Sequence, residues 1–170
     1  MPSLLESQPR SMQKTWQNIN FKMNEKIKLF FIYVSYIFIL FAIDRVTKFQ
    51  VLSILESQDK VDIYVNSFLN LYLVWNKGIG FGLFSFDNAT AYNLITLIIL
   101  FINVIIVYLI FVEEGVKVYF LLTILGGSLG NFVDRLYYKA VPDFIDINYN
   151  GYHWFIFNVA DIFITLGIIC

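Results

Sequence analysis

ATAYNLITLIILFINVIIVYLIFV, residues 89–112, contains no charged side chain. As a helix rising about 1.5 Å per residue it is long enough to cross the ~30 Å of hydrocarbon in a bilayer. This stretch makes the chain an integral membrane protein. The composition agrees: 58% of the 170 residues are hydrophobic and only 15% charged, with a mean hydropathy of +0.67. A soluble domain is nearer half apolar and a quarter charged. A formal net charge of −1 gives no basis for a nucleic-acid partner. The lone cysteine, Cys170, excludes an intramolecular disulfide, and the lone histidine, His153, argues against a multi-histidine metal site.

Three further apolar stretches flank the first: Ile27–Ile43, Val116–Val133, and a last one from Phe155 to Cys170. The last amounts to about 24 Å of helix, less than a full crossing. Residues 1–26 are polar and mixed, read as a disordered or surface tail, and they lack the short apolar core of a secretory signal. The expected organisation is therefore an N-terminal cytoplasmic tail, 1–26, and one membrane domain, 27–170, mainly α with four transmembrane helices. Lys22, Lys26 and Lys28 precede the first span and favour a cytoplasmic N-terminus. The turn EEGVK, residues 113–117, is then cytoplasmic, and segments 44–88 and 135–154 lie on the outer side. Within the former, FLNLYLVW at 68–75 carries large apolar side chains on both alternating faces, as in a strand wedged against other material. The expectation is a small β-element on the membrane surface, running over 62–76 and followed by the glycine-rich turn GIGFG.

Two aspartates stand where a carboxylate is costly. Asp143 lies in VPDFIDI just past an apolar helix, and Asp161 is the one charge in FNVADIFITLGIIC. An acid within or beside the bilayer marks a functional site by default. If the two meet, they form a dyad in which one carboxyl is charged and the other protonated. Asp146, on the same loop as Asp143, is expected to be solvated. Asp44 and Lys48 lie i, i+4, as an interfacial salt bridge closing the first span would. In GGSLGNFVDR, residues 126–135, Gly126 and Gly130 form a small-xxx-small pair for close helix packing. Gly127, Asn131, Asp134 and Arg135 fall near one face of the same helix, with Asp134 pairing Arg135 or a neighbour. Asn158 and Asp161, i and i+3, share a face of the last span. As a buried structural acid, Asp161 would pair with Arg135 or Lys48. Asn76, Gly78, Gly80 and Gly82 bring the backbone close to a ligand or simply end a hairpin.

Two other functions use the same residues. GGSLG formally matches the nucleophile-elbow pattern, which would make Ser128 a nucleophile with His153 as its base, but that pattern needs a strand–turn–helix and here lies in an apolar helix. A proton- or ion-conducting protein would use the buried acids as a relay, yet the span 89–112 offers only Asn93 and Asn103 as strong polar groups. A purely structural membrane anchor leaves Asp161 without a reason.

Five blocks, in order, resemble the lipoprotein signal peptidase (signal peptidase II) family, the membrane aspartyl proteases of bacteria. They are DRVTK (44–48), FLNLYLVWNKGIGFGLFS (68–85), GGSLGNFVDR (126–135), VPDFIDI (141–147) and FNVAD (157–161). The resemblance covers about residues 27–170. It implies a catalytic dyad at Asp143 and Asp161, with supporting residues Asp44, Lys48, Asn76, Gly78, Gly130, Asn131, Asp134, Arg135 and Asn158. It implies four transmembrane helices, a periplasmic β-cradle and a small half-helix. It further implies no metal or other cofactor, prolipoprotein substrates whose cysteine carries diacylglycerol, cleavage just before that cysteine, contact with membrane lipids, and inhibition by globomycin-type cyclic peptides. The place would be the bacterial cytoplasmic (inner) membrane, with the active site on the periplasmic face. The chain departs from the family pattern at Arg45, where glutamine is usual, and at Gly80, where alanine is common.

Overall fold

Pro9 begins the first helix: its carbonyl accepts the amides of Met12 at 2.9 Å and Gln13 at 3.1 Å. From there α1 runs Arg10–Gln58. The computed structural model describes residues 9–78, 89–149 and 152–170. The remaining elements are β1 (Asp62–Asn66), β2 (Leu69–Asn76), α2 (Ala89–Val112), α3 (Val116–Tyr138), β3 (Val141–Tyr149), β4 (Tyr152–Phe157) and α4 (Val159–Ile169). Packing divides the chain into two units, Met1–Tyr36 and Ile37–Cys170.

Several boundaries differ from the sequence reading. Residues 10–26, expected as part of a disordered or surface tail, are helical. No proline or glycine occurs between residues 10 and 58, so nothing in the chain stops the helix before Asp59, which takes a left-handed φ of 59°. The Asp44–Lys48 pair therefore lies within α1 and does not close it. Asp44, Lys48 and Val51 are the buried residues of α1, a stripe at i, i+4 and i+7. The last apolar stretch begins at Val159 rather than Phe155, because residues 152–157 are strand. α4 has 11 residues, about 16 Å of helix. Among the described residues three helices, α1, α2 and α3, are long and apolar enough to cross a membrane.

The expected β-element is larger than the segment 62–76 that reads as strand. β3 and β4 join it to give one antiparallel sheet in the order β1-β2-β3-β4. β2 and β3 pair with Val74 opposite Asp143 and Asn76 opposite Val141. Val141, Pro142, Asp143 and Phe144 are all buried, so both faces of this part of β3 are covered. Val51 of α1, Val61 and Phe144 pack together, with Leu71, Ile145 and Val159 around them. The sheet receives the chain from α1 and from α3, and returns it to α2 and α4. Those four helix ends therefore meet at the sheet, and the α2–α3 turn lies at the opposite end. Gly115, in that turn, has a φ of 70° that favours glycine. The half-helix implied by the resemblance is absent from the described residues, and GIGFG, including Gly80 and Gly82, lies outside them beyond Gly78. The architecture is thus a mainly helical membrane protein with a small antiparallel sheet.

Candidate active site

α3 brings the polar residues together because glycine lets two neighbours approach it. Gly126 and Gly130 both face α1. A Cβ at Gly126 would lie 2.9 Å from Leu40 Cβ, and one at Gly130 only 2.5 Å from Asp44 Oδ2. Gly127 faces α4, where a Cβ would meet the Ala160 carbonyl oxygen at 2.5 Å. In lipid, close backbone approach of this kind replaces the hydrophobic drive that water would give.

The approach places Asp44 and Lys48 of α1 against Asp134 of α3, all three buried. Lys48 Nζ lies 3.0 Å from Asp44 Oδ1 and 2.6 Å from Asp134 Oδ2, and donates to Asn131 Oδ1 at 2.8 Å. Arg45 completes the cluster. Its Nη1 and Nη2 donate to the two oxygens of Asp134 at 2.5 and 2.7 Å. Nη2 also reaches Asp44 Oδ2 at 2.7 Å and the Gly130 carbonyl at 3.0 Å. Two cations thus balance two carboxylates, as buried charge requires. Asp134 pairs across helices with Arg45 and Lys48 rather than with its neighbour Arg135. Arg135 turns the other way, donating from Nη2 to the Gly78 carbonyl and lying 5.8 Å over the Tyr92 ring. Its Nε and Nη1 are buried and have no hydrogen-bond partner among the described residues.

Asp143 and Asp161 come from different elements and converge on Asn158. Asp143, on β3, is 2% exposed. Its Oδ1 accepts from Asn158 Nδ2 at 2.6 Å and its Oδ2 from Asn76 Nδ2 at 2.8 Å. Asp161 Oδ2 accepts the Asn158 backbone amide at 3.1 Å, and its Oδ1 accepts Asn131 Nδ2 at 2.8 Å. Asn158 Oδ1 in turn accepts the Asp161 amide at 3.2 Å, which completes a capping box at the start of α4. The three-residue spacing read from sequence as a shared face is therefore the N-cap and third position of the helix. Among the described residues neither acid has an ion-pair partner, so Asp161 does not pair with Arg135 or Lys48. Burial first, and then the charge of Asp161, push the Asp143 carboxyl up to about 7. The donations from Asn158 and Asn76 and the charge of Lys48 act in the opposite sense.

All the singled-out residues except Gly80 and Gly82 are thus placed. Gly78 donates its amide to Asn76 Oδ1 at 2.8 Å. Asp146, expected to be solvated, is 3% exposed. It sits opposite Asn70 in the sheet, and its Oδ2 lies 2.8 Å from His153 Nδ1. His153 is therefore engaged with Asp146, and among the described residues no hydrogen bond joins it to Ser128 on α3. Two contributors were not assigned a role from sequence. Arg45 stands one residue from the stripe Asp44–Lys48–Val51, about 100° round the helix, and only its length carries it back to the buried side. Tyr92, whose Oη donates to the Arg135 carbonyl at 3.1 Å, looks like one more aromatic in an apolar span.

The profile of the family described as "Signal peptidase (SPase) II" matches residues 36–170. The lipoprotein signal peptidase of Pelagibacter ubique (strain HTCC1062) is 49% identical over 144 residues, covering 85% of this chain and 87% of its own. Another lipoprotein signal peptidase, from Francisella tularensis subsp. novicida (strain U112), is 36% identical, with 86% and 90% covered. A bacterial membrane enzyme solved by the in meso method at 2.3 Å resolution superposes with a TM-score of 0.64 at 31% identity, over 81% of this chain and 83% of that one. The chain belongs to the signal peptidase II family, the proteases that remove signal peptides from lipoprotein precursors.

Proposed function

We propose that Asp143 and Asp161 are the catalytic pair of this signal peptidase II protease. One observation carries the assignment: Asn158 binds both acids at once, with its amide group on Asp143 and its backbone amide on Asp161. Two buried carboxyls that have no ion-pair partner among the described residues, held by one residue, share protons and titrate as a unit. A carboxyl poised near 7, as Asp143 is, suits proton transfer near neutral pH.

In the mechanism, the charged carboxylate takes a proton from a water molecule as that water attacks the scissile carbonyl. The protonated carboxyl donates to the carbonyl oxygen. Collapse of the tetrahedral intermediate breaks the C–N bond, and the leaving amine takes up a proton from the pair. Asn76, Asn131 and Asn158 orient the two acids. Arg135, whose Nε and Nη1 have no partner among the described residues and whose Nη2 holds the Gly78 carbonyl, would keep the substrate backbone extended beside the sheet. Asp44, Lys48, Asp134 and Gly130 support this arrangement from behind. No cofactor enters the chemistry.

The substrates would be prolipoproteins already carrying diacylglycerol, cut just before the modified cysteine, with globomycin-type peptides occupying the same site. The apolar helix faces suit a signal helix and acyl chains, each buried CH₂ contributing roughly 0.8 kcal/mol. The enzyme would lie in the bacterial cytoplasmic membrane, with residues 1–26 inside and the sheet on the outer face, where water reaches the pair. The test is a gel-shift cleavage assay on a diacylglyceryl-modified prolipoprotein in detergent. Wild type should cleave, and Asp143→Asn and Asp161→Asn should insert normally and lose cleavage. Full activity in either variant would remove that residue from the pair.

A further inference from the structure

We infer that Arg45 is a positioning residue for Asp161, holding the α1–α3 carboxylates so that their other contacts fix the start of α4. This rests on the reading of Asp143 and Asp161 as the catalytic pair. Two chains of contacts run from the guanidinium. Arg45 grips Asp44 Oδ2, and Asp44 Oδ1 accepts the Ala160 amide at 3.1 Å, in the turn that carries Asp161. Arg45 also grips both oxygens of Asp134. It shares Asp134 with Lys48, whose Nζ also donates to Asn131, the residue whose amide donates to Asp161.

Charge balance points the same way. With arginine, the quartet Asp44, Arg45, Lys48 and Asp134 is neutral. With glutamine at position 45, Lys48 alone faces two buried carboxylates, and the site behind Asp161 gains one net negative charge. Lys48 and Asp44 on α1 act directly on Asp161, and Asp143 on β3 is the other acid coupled to it; the hydrogen-bond partners of Asp161, Asn131 and Asn158, are uncharged. An added negative charge there favours retention of protons by the pair, so both limbs of the pH–rate profile move to higher pH. The outer edge of Arg45, about a quarter exposed, faces a cleft of about 470 Å³ with Trp75 and Tyr138. A buried charge near solvent acts through an intermediate dielectric, so the expected shift is about half a pH unit or more.

The experiment measures kcat and KM on a diacylglyceryl-modified prolipoprotein from pH 5 to 9. It compares wild type with Arg45→Gln, Arg45→Lys, the double variant Arg45→Gln/Asp134→Asn, and Asp161→Asn. Arg45→Gln should lower kcat with little change in KM and shift the profile to higher pH. The double variant, neutral again, should return the profile to that of wild type. Arg45→Lys keeps the charge and loses the fork, so it should lower kcat without moving the profile. An Arg45→Gln profile superimposed on that of wild type, with Asp161→Asn inactive, overturns this inference alone. Cleavage by Asp161→Asn overturns the catalytic pair and this inference with it. If Arg45→Gln does not insert, wild-type kcat in Arg45→Lys overturns the positioning role.

Discussion

Each asparagine around the two acids has its orientation fixed by a second partner. Asn76 Oδ1 accepts the Gly78 amide, Asn158 Oδ1 the Asp161 amide, and Asn131 Oδ1 the Lys48 ammonium. Their NH₂ groups are thereby committed to the carboxyl oxygens. This arrangement holds the acids still while burial favours the protonated form of Asp143. For Asp143 the consequence is a sign. Its carboxyl rises from 3.8 to about 7 in the folded protein, so between those values the unfolded chain has already lost the proton that the folded chain keeps. Stability from this group therefore falls as pH rises through that window, and remains lost above it. In Asp143→Asn the loss cannot occur. The melting temperature of that variant relative to wild type should climb from pH 5 to about pH 7 in detergent and level off above it. A difference that stays flat across the range would mean that Asp143 does not titrate there.

At the scale of elements, α4 and β3 are joined through one cap. Asn158→Ala removes the side-chain acceptor at the start of α4, which costs about 1 kcal/mol, and also removes a donor from Asp143. Asn158→Ser keeps an acceptor for the Asp161 amide but offers no reach to Asp143. The serine variant should thus recover most of the thermal stability lost by the alanine variant and little of the cleavage rate. Equal recovery of both would reduce Asn158 to a cap. Gly127→Ala tests the α3–α4 contact, where the added methyl meets backbone that cannot swing aside. The cost should be about 1–3 kcal/mol, read as a lower melting temperature, and an unchanged one would place the helices further apart. How far these elements were legible from sequence follows from their physics. The uncharged run of α2 declares itself, and so do the small residues of α3. β3 and β4 did not. Their residues 141–144 are buried on both faces, so no alternation is visible, and Phe155 to Phe157 read as the start of an apolar helix. Only Asn158, as a cap, separates strand from helix there, and its spacing to Asp161 fits a shared helical face equally well. Asp143 and Asp161 stand out by the cost of their charge, and the supporting roles follow from the resemblance, but the pairings are not legible, since Asp134 chooses partners 86 and 89 positions away.

Across the whole molecule, polarity is arranged for lipid. Leu97, Phe101, Phe111 and many other apolar residues of α2 face outward, while the buried set includes Asp44, Lys48, Asp134 and Arg135. The charges gather where α1, α3, α4 and the sheet meet, and the turn at Glu113–Gly115 lies at the other end of the helices. With the N-terminus cytoplasmic, as we propose from the lysines near the first span, that turn would face the cytoplasm and the sheet and the proposed catalytic pair would lie outside. Yet Arg45, Lys48, Arg135 and Lys139 then lie toward the outer side, against the usual charge bias. The structure removes most of that conflict, because Arg45 and Lys48 are balanced by buried carboxylates and Arg135 is buried among its own contacts. Charges cancelled within the protein exert little pull on topology. Orientation should therefore follow the exposed lysines near the N-terminus. In a Cys170→Ser background, a membrane-impermeant maleimide added to intact cells should label Tyr152→Cys, on the exposed β4 strand, where the tyrosine is 84% exposed. Glu114→Cys should react only after the cytoplasmic face is opened. Labelling of Glu114→Cys from outside would reverse the orientation and place the two aspartates at the cytoplasmic surface, where an exported lipoprotein precursor would have to be cut before crossing.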